Sequence, residues 1–218
     1  MCRMGFVSSI QPVDHTTTIK NASRFYSNEN PDGFGFAYLY NGRIIFYDKS
    51  GESARQFWSR MNGSVRIVSN LALFHDRRAS VGSITSMNTH PFVQNNVALA
   101  HNGTLQNYQK LKEFLISKGF KFASQTDSEV LLGVWYYYTI HFPQVLQKWG
   151  VAGSVTTIIL TPSGIYLFTN NSAMVVYRYK DQILGFSDDR ILGKNNAYHL
   201  QNNVLYRVVG NRIQPVKI

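Results

Sequence analysis

Runs of strand length fill both ends of this chain, and one pair of helical patterns separates them. On the N-terminal side, residues 1–9 read as a short apolar strand, 34–40 and 43–47 as a hairpin around Asn41-Gly42, and 65–74 as a buried strand. Asn-Gly supplies the two positive-φ residues that a tight hairpin turn requires. Residues 28–35 (NENPDGFG) are dense in turn formers, and 53–61 read as a helix. After Gly150 short strands recur at 155–161, 165–169, 174–179 and 183–187, and a last hairpin at 204–209 and 212–217 turns at Gly210-Asn211. Between the two regions, 107–118 carries apolar residues at 108, 111, 114 and 115, one face of a helix that Gly119 ends. Thr126-Asp127-Ser128-Glu129 then offers capping side chains to a second helix running through 131–138. Strands on both sides of a helical pair predict an α+β domain with packed sheets, spanning 1–218 as one unit.

Composition permits that fold. With 218 residues and 44% hydrophobic content, the chain can bury a substantial core. A single cysteine excludes an intrachain disulfide and predicts a reducing, cytoplasmic setting. No apolar segment approaches the roughly 20 residues needed to cross a bilayer, and the N-terminus has no long apolar stretch. The formal charge is +10, yet the basic residues are dispersed, with no run of five. A basic but otherwise ordinary surface therefore accounts for them better than nucleic-acid binding.

The one cysteine is Cys2, directly behind the initiator methionine. A small second residue allows the initiator to be clipped, leaving a thiol and a free α-amine on one residue. An α-amine titrates near pH 8 and a free thiol near 8.5. Such a residue can supply a nucleophile and the base that activates it. On position alone, however, a single cysteine carries little meaning.

Polar residues also crowd places where a core wants apolar ones: HDRRASVG at 75–82, NTHPF at 88–92, HNG at 101–103 and TDSE at 126–129. Each has a bland account, since HNG is commonly a turn, Asp127 a helix cap and Arg77 a surface cation. In this order, behind Cys2, they resemble class II glutamine amidotransferase domains, the cysteine branch of the N-terminal nucleophile hydrolases. The Met-Cys-Arg start, Asp32-Gly33-Phe34-Gly35 and NTHPF are most similar to small stand-alone γ-glutamyl hydrolases of that group.

The resemblance implies a four-layer αββα sandwich with the nucleophile at the start of a central strand. It implies that Cys2 attacks the γ-carboxamide of glutamine, forming a γ-glutamyl thioester and releasing ammonia, with its own α-amine as base. Asn102, through its side chain, and Gly103, through its backbone, match the oxyanion-hole pair. Arg77 matches the residue that holds the substrate α-carboxylate, Asp127 the one that pairs with its α-ammonium, and Ser80 lies in the substrate-binding stretch. Larger members carry Thr-His where this chain has Ser80-Val81, and an arginine where it has Glu29.

No cofactor or metal is implied. His90 and His101 have no cysteine or carboxylate partner at a ligand spacing and read as structural, hydrogen-bonding histidines, and Asp32 as a turn former beside Cys2. Because the sequence ends at Ile218 with no room for a synthase domain, any ammonia acceptor is expected on another polypeptide. Three functions stay open at this point: a stand-alone hydrolase of glutamine or a γ-glutamyl amide, a glutaminase subunit feeding a synthase partner, and a non-catalytic amino-acid-binding module.

Overall fold

The computed structural model describes residues 1–171, 174–191 and 197–217, which leaves Ile218 outside it. The chain runs β1 (Arg3–Asp14), α1 (Thr16–Tyr26), β2 (Phe34–Tyr40), β3 (Arg43–Ser50), α2 (Ala54–Met61), β4 (Val68–Asp76), β5 (Phe92–Gln94) and β6 (Val97–Gln106). The helices α3 (Gln109–Ser117), α4 (Glu129–Tyr138) and α5 (Phe142–Lys148) follow. Then come β7 (Ala152–Thr161), β8 (Gly164–Thr169), β9 (Val175–Tyr179), β10 (Gln182–Phe186), β11 (Ala197–His199), β12 (Tyr206–Val209) and β13 (Arg212–Pro215).

Two antiparallel sheets face each other. One has the order β11-β9-β10-β1-β4-β2-β3, the other β13-β12-β8-β7-β6-β5. Residue alternation along the strands decides which side chains fill which layer. Met4, Phe6, Leu71 and Leu73 point inward to meet Ala98, Ala100, Ile158 and Leu160 of the opposite sheet. Val7, Ala72 and Phe74 point outward, onto Ile19 and Tyr26 of α1 and Phe57 and Trp58 of α2. On the other outer face, Leu99, Val155 and Ile159 pack against Leu111, Leu115, Leu131 and Trp135. Helix, sheet, sheet and helix thus make the four-layer αββα sandwich, and β1 lies at the centre of its sheet. No helix among the described residues is long and apolar enough to cross a membrane.

The hairpins at Asn41-Gly42 and Gly210-Asn211 form where turn chemistry places them, with φ of 48° and 73° at the first pair. Two helices carry no strong local signal. α1 opens on three β-branched threonines, residues of low helix propensity. Burial of Ile19, Ala22 and Tyr26 against the sheet overrides that preference. α5 is a short helix, held by buried Phe142, Val145 and Leu146.

Candidate active site

Cys2 precedes β1 and is partly exposed at the end of the central strand. Its sulfur accepts a hydrogen bond from the Arg78 backbone N–H at 3.2 Å and lies 3.3 Å from the Arg78 carbonyl, to which the thiol donates. Burial pushes the thiol pKa up, and the Arg78 hydrogen bond, the chain-terminal ammonium and Arg77 only partly offset this. The thiol is therefore the resting form at neutral pH, and attack requires a base. Met1 precedes Cys2 in the structure, so the Cys2 nitrogen there is a peptide nitrogen.

Arg77 follows the last residue of β4 and is locked by backbone bonds to the loop expected to turn at 28–35. Arg77 N–H donates to Gly33 O at 2.7 Å and Asp32 N–H to Arg77 O at 3.1 Å. Asp32 does more than turn the chain: its carboxylate accepts from Ala79 N–H at 2.8 Å, fixing the backbone just beyond Arg78. The buried Arg77 guanidinium donates to the carbonyls of Ser83 and Val81, each at 2.9 Å, and of Gly82 at 3.3 Å. Two or three of its five N–H groups are so engaged, which leaves others for a ligand.

Across the inter-sheet space, Asn102 and Gly103 sit within β6 rather than in a turn, paired with Thr156 and Val155 of β7. Asn102 Nδ2 donates to the Cys2 carbonyl at 2.9 Å. Gly103 has φ 138°, and a Cβ there would lie 1.8 Å from the Ser154 carbonyl oxygen, so only glycine fits.

Asp127 is buried, and its carboxylate accepts from Leu105 N–H at 2.6 Å. The expected capping does not occur. α4 begins at Glu129, and its N-cap residue Ser128 makes no side-chain cap bond. The hydroxyls turn inward instead, Ser128 Oγ lying 2.9 Å from His101 Nδ1 and Thr126 Oγ1 3.0 Å from Ser124 Oγ. The helix start is located correctly by the TDSE pattern, but Asp127 and Ser128 are spent on the site and Glu129 on the Ala123 and Ser124 N–H groups.

His101 is the structural histidine expected, with Nε2 also 3.2 Å from Ser154 O. His90 differs. Both its ring nitrogens lack a hydrogen-bond partner, and it packs between His75 and Phe92 at centroid distances of 4.1 and 4.6 Å. Burial holds His75 neutral, its pKa down at about 3, and lowers His90 and His101 as well. Among the described residues no group of three or more His, Cys, Asp or Glu is arranged to hold a metal ion. Glu29 lies in a surface ion cluster with Arg190 at 2.9 Å and Arg3 at 3.6 Å.

Two cavities meet at Cys2. An inner one of about 20 Å³ is lined by Arg77, Arg78, Ser80, Gly103 and Asp127, and an outer one of about 450 Å³ by Arg78, Ser80, Gly103 and Thr104. Clefts elsewhere, of about 390 Å³ beside Gln144 and Asn170 and about 500 Å³ beside Ile10 and Leu39, bring no thiol, histidine or carboxylate into their linings. Cys2, Arg77, Ser80, Gly103 and Asp127 thus converge on one place, which Asn102 joins through the Cys2 carbonyl, whereas Glu29 lies in the surface ion cluster. Leu105 N–H and the Ser154 carbonyl, which orient them, carry no sequence signal because they act through backbone groups, and Ser128 is marked in the sequence only as part of the TDSE capping pattern.

The sequence profile described as glutamine amidotransferases class-II matches residues 1–136. A glutamine–fructose-6-phosphate aminotransferase (isomerizing) from Buchnera aphidicola subsp. Baizongia pistaciae is 27% identical over 184 residues, covering 84% of this chain but only 28% of that protein. Among solved structures, the glutamine phosphoribosylpyrophosphate amidotransferase of B. subtilis shares the fold over 100% of this chain and 49% of its own, with a TM-score of 0.77 and 18% identity. A glutamine aminotransferase class-II domain protein from Silicibacter pomeroyi shares it over 99% of this chain and 98% of its own, with a TM-score of 0.68 and 14% identity. The profile covers more than half of the chain, and the chain belongs to the class-II glutamine amidotransferases.

Proposed function

We propose that this chain hydrolyses the γ-amide of glutamine or of a γ-glutamyl compound through a thioester on Cys2. The observation that carries the reading is the convergence of Cys2, Arg77, Gly103 and Asp127 on one cavity, with Asn102 bonded to the Cys2 backbone. Arg77 and Asp127 supply one positive and one negative group, the complement of an amino-acid head. The inner cavity has room for about one water molecule. Substrate entry therefore requires this lining to open, and the Arg77 N–H groups left free by the 81–83 carbonyls are those available to a carboxylate.

Removal of Met1 converts the Cys2 nitrogen into an amine that takes the thiol proton, directly or through a water. The thiolate forms a C–S bond at the carbonyl carbon of the γ-carboxamide, and the carbonyl electrons move onto an oxygen held by Asn102 Nδ2 and the Gly103 N–H. Collapse of this intermediate breaks the C–N bond, and the Cys2 ammonium returns its proton to the departing nitrogen. Water then cleaves the thioester, releasing glutamate and restoring the thiol.

A second reading sends the ammonia to an acceptor on another polypeptide. It is favoured by the aminotransferase relative, of whose length the match covers only 28%. The test combines intact mass, labelling by an electrophilic glutamine analogue, and ammonia release from glutamine. Active protein should start at Cys2 and carry one label, absent in Cys2→Ala. An active preparation that retains Met1, or a Cys2→Ala variant that still hydrolyses glutamine, would overturn the mechanism. Ammonia release that rises on adding a co-purifying partner would favour the second reading.

A further inference from the structure

We infer that the outer cleft is a subsite for the leaving group, fitted to a γ-glutamyl compound whose amide nitrogen carries a carboxylate-bearing group, and that Arg78 reads that carboxylate. This rests on the hydrolase reading above and narrows its substrate class.

The two cavities share Cys2, Arg78, Ser80 and Gly103; beyond these the inner one extends to Arg77 and Asp127, the outer one to Thr104, Gln106 and Ser154. Attack by the Cys2 sulfur divides a substrate at its amide carbon. The γ-glutamyl half, with its zwitterionic head, belongs with Arg77 and Asp127 in the inner cavity. The departing nitrogen and whatever it carries are left to the outer one.

Size and charge then speak to what that nitrogen carries. Ammonia needs space for a molecule the size of water, about 30 Å³ of liquid volume. The outer cleft offers about 450 Å³, a volume typical of small-molecule sites. Met1 contributes to its lining, so clipping of the initiator widens it further. Arg78 is the one charged side chain in the lining; the polar remainder is Ser80, Thr104, Gln106 and Ser154, with no carboxylate. The inner cavity adds the Arg77 and Asp127 pair to Arg78, whereas the outer one presents Arg78 as its only charged side chain.

Arg78 is also well placed. Its main chain is held at the nucleophile by the contacts with Cys2 Sγ at 3.2 and 3.3 Å, while its side chain is exposed. Among the described residues its guanidinium has no ion-pair partner. An arginine fork anchored beside the scissile bond suits a carboxylate a few bonds beyond the amide nitrogen, as in a γ-glutamyl amino acid.

The test compares γ-glutamylglycine with γ-glutamylglycinamide, which differ only in the terminal carboxylate, using protein that begins at Cys2 and L-glutamine as a third substrate. We expect kcat/KM to favour the acid over the amide by about tenfold or more. Arg78→Gln should reduce that ratio to within about threefold, Arg78→Lys should keep part of it, and Arg78→Glu should invert it. Glutamine turnover with no preference for the acid in the unaltered protein, or a preference undiminished in Arg78→Gln, would overturn the leaving-group inference alone. Absence of turnover and of acyl-enzyme mass with all three substrates would instead remove the hydrolase reading and this inference with it.

Discussion

The side-chain amide of Asn102 donates to the backbone carbonyl of Cys2 at 2.9 Å, so one hydrogen bond joins the residue before β1 to the middle of β6 in the opposite sheet. The same nitrogen carries a second hydrogen, and its amide oxygen is buried without a partner. Asn102 thus holds the nucleophile's backbone, and its second hydrogen is the one proposed to meet the developing negative charge. Asn102→Ala is expected to lower kcat by about 10²-fold or more while the affinity for glutamate changes little. Asn102→Asp should be at least as damaging, because a carboxylate repels the developing charge. A variant that keeps kcat and only raises KM would make Asn102 a ground-state contact.

Gly103 tests how tightly the two strands close beneath that site. A methyl group at this position meets a backbone carbonyl at 1.8 Å, and backbone cannot swing aside as a flexible side chain does. Gly103→Ala should cost about 2 kcal/mol or more of stability, from the forced shift of β7 and the strained φ. Denaturant unfolding within about 0.5 kcal/mol of the unaltered protein would show that β7 yields freely.

Asp127 has two duties that substitution can separate. Its carboxylate accepts from Leu105 N–H, and it is proposed to pair with the substrate ammonium. Asp127→Asn retains an acceptor oxygen for Leu105 but removes the charge. It should fold with unchanged cooperativity yet lose about 10²-fold in kcat/KM, as should Arg77→Ala. Losses below about threefold in both variants would place recognition of the amino-acid head elsewhere.

Burial of His75, His90 and His101 as neutral rings couples folding to pH. Their folded pKa values lie below the ordinary 6.5, His75 at about 3, so the unfolded chain binds protons that the folded one does not. Stability is then full above pH 6.5 and falls as pH drops below it, by about 1.4 kcal/mol per pH unit for each histidine while the folded ring stays neutral. Asp76, buried with neither carboxyl oxygen partnered and its pKa raised, works in the opposite sense and offsets at most one of the three protons. Unfolding measured at pH 7.5 and pH 5 should show a marked loss at the lower value. Equal stabilities would mean that the rings are charged in the fold.

Much of this protein is written locally in its sequence. Alternating apolar runs set the strands, Asn41-Gly42 and Gly210-Asn211 set their turns, and the TDSE pattern marks where α4 starts. The candidate residues of the site (one thiol, an arginine, an aspartate and an asparagine-glycine pair) could also be listed, because their order behind Cys2 resembles that of class II glutamine amidotransferase domains; each alone has a bland account. Local signals misled where long-range packing outweighed them. The HNG tripeptide is strand rather than turn because β7 pairs with it, α1 forms on threonines because a sheet covers its apolar face, and Asp127 anchors Leu105 instead of capping. Only the tertiary structure decided that Cys2 and Asn102, 100 positions apart, touch, and that Arg77 lines the inner cavity at the thiol alone while Arg78 reaches the outer one as well. Propensity and periodicity act over a few residues, whereas a site between two sheets exists only once their facing layers are packed in register.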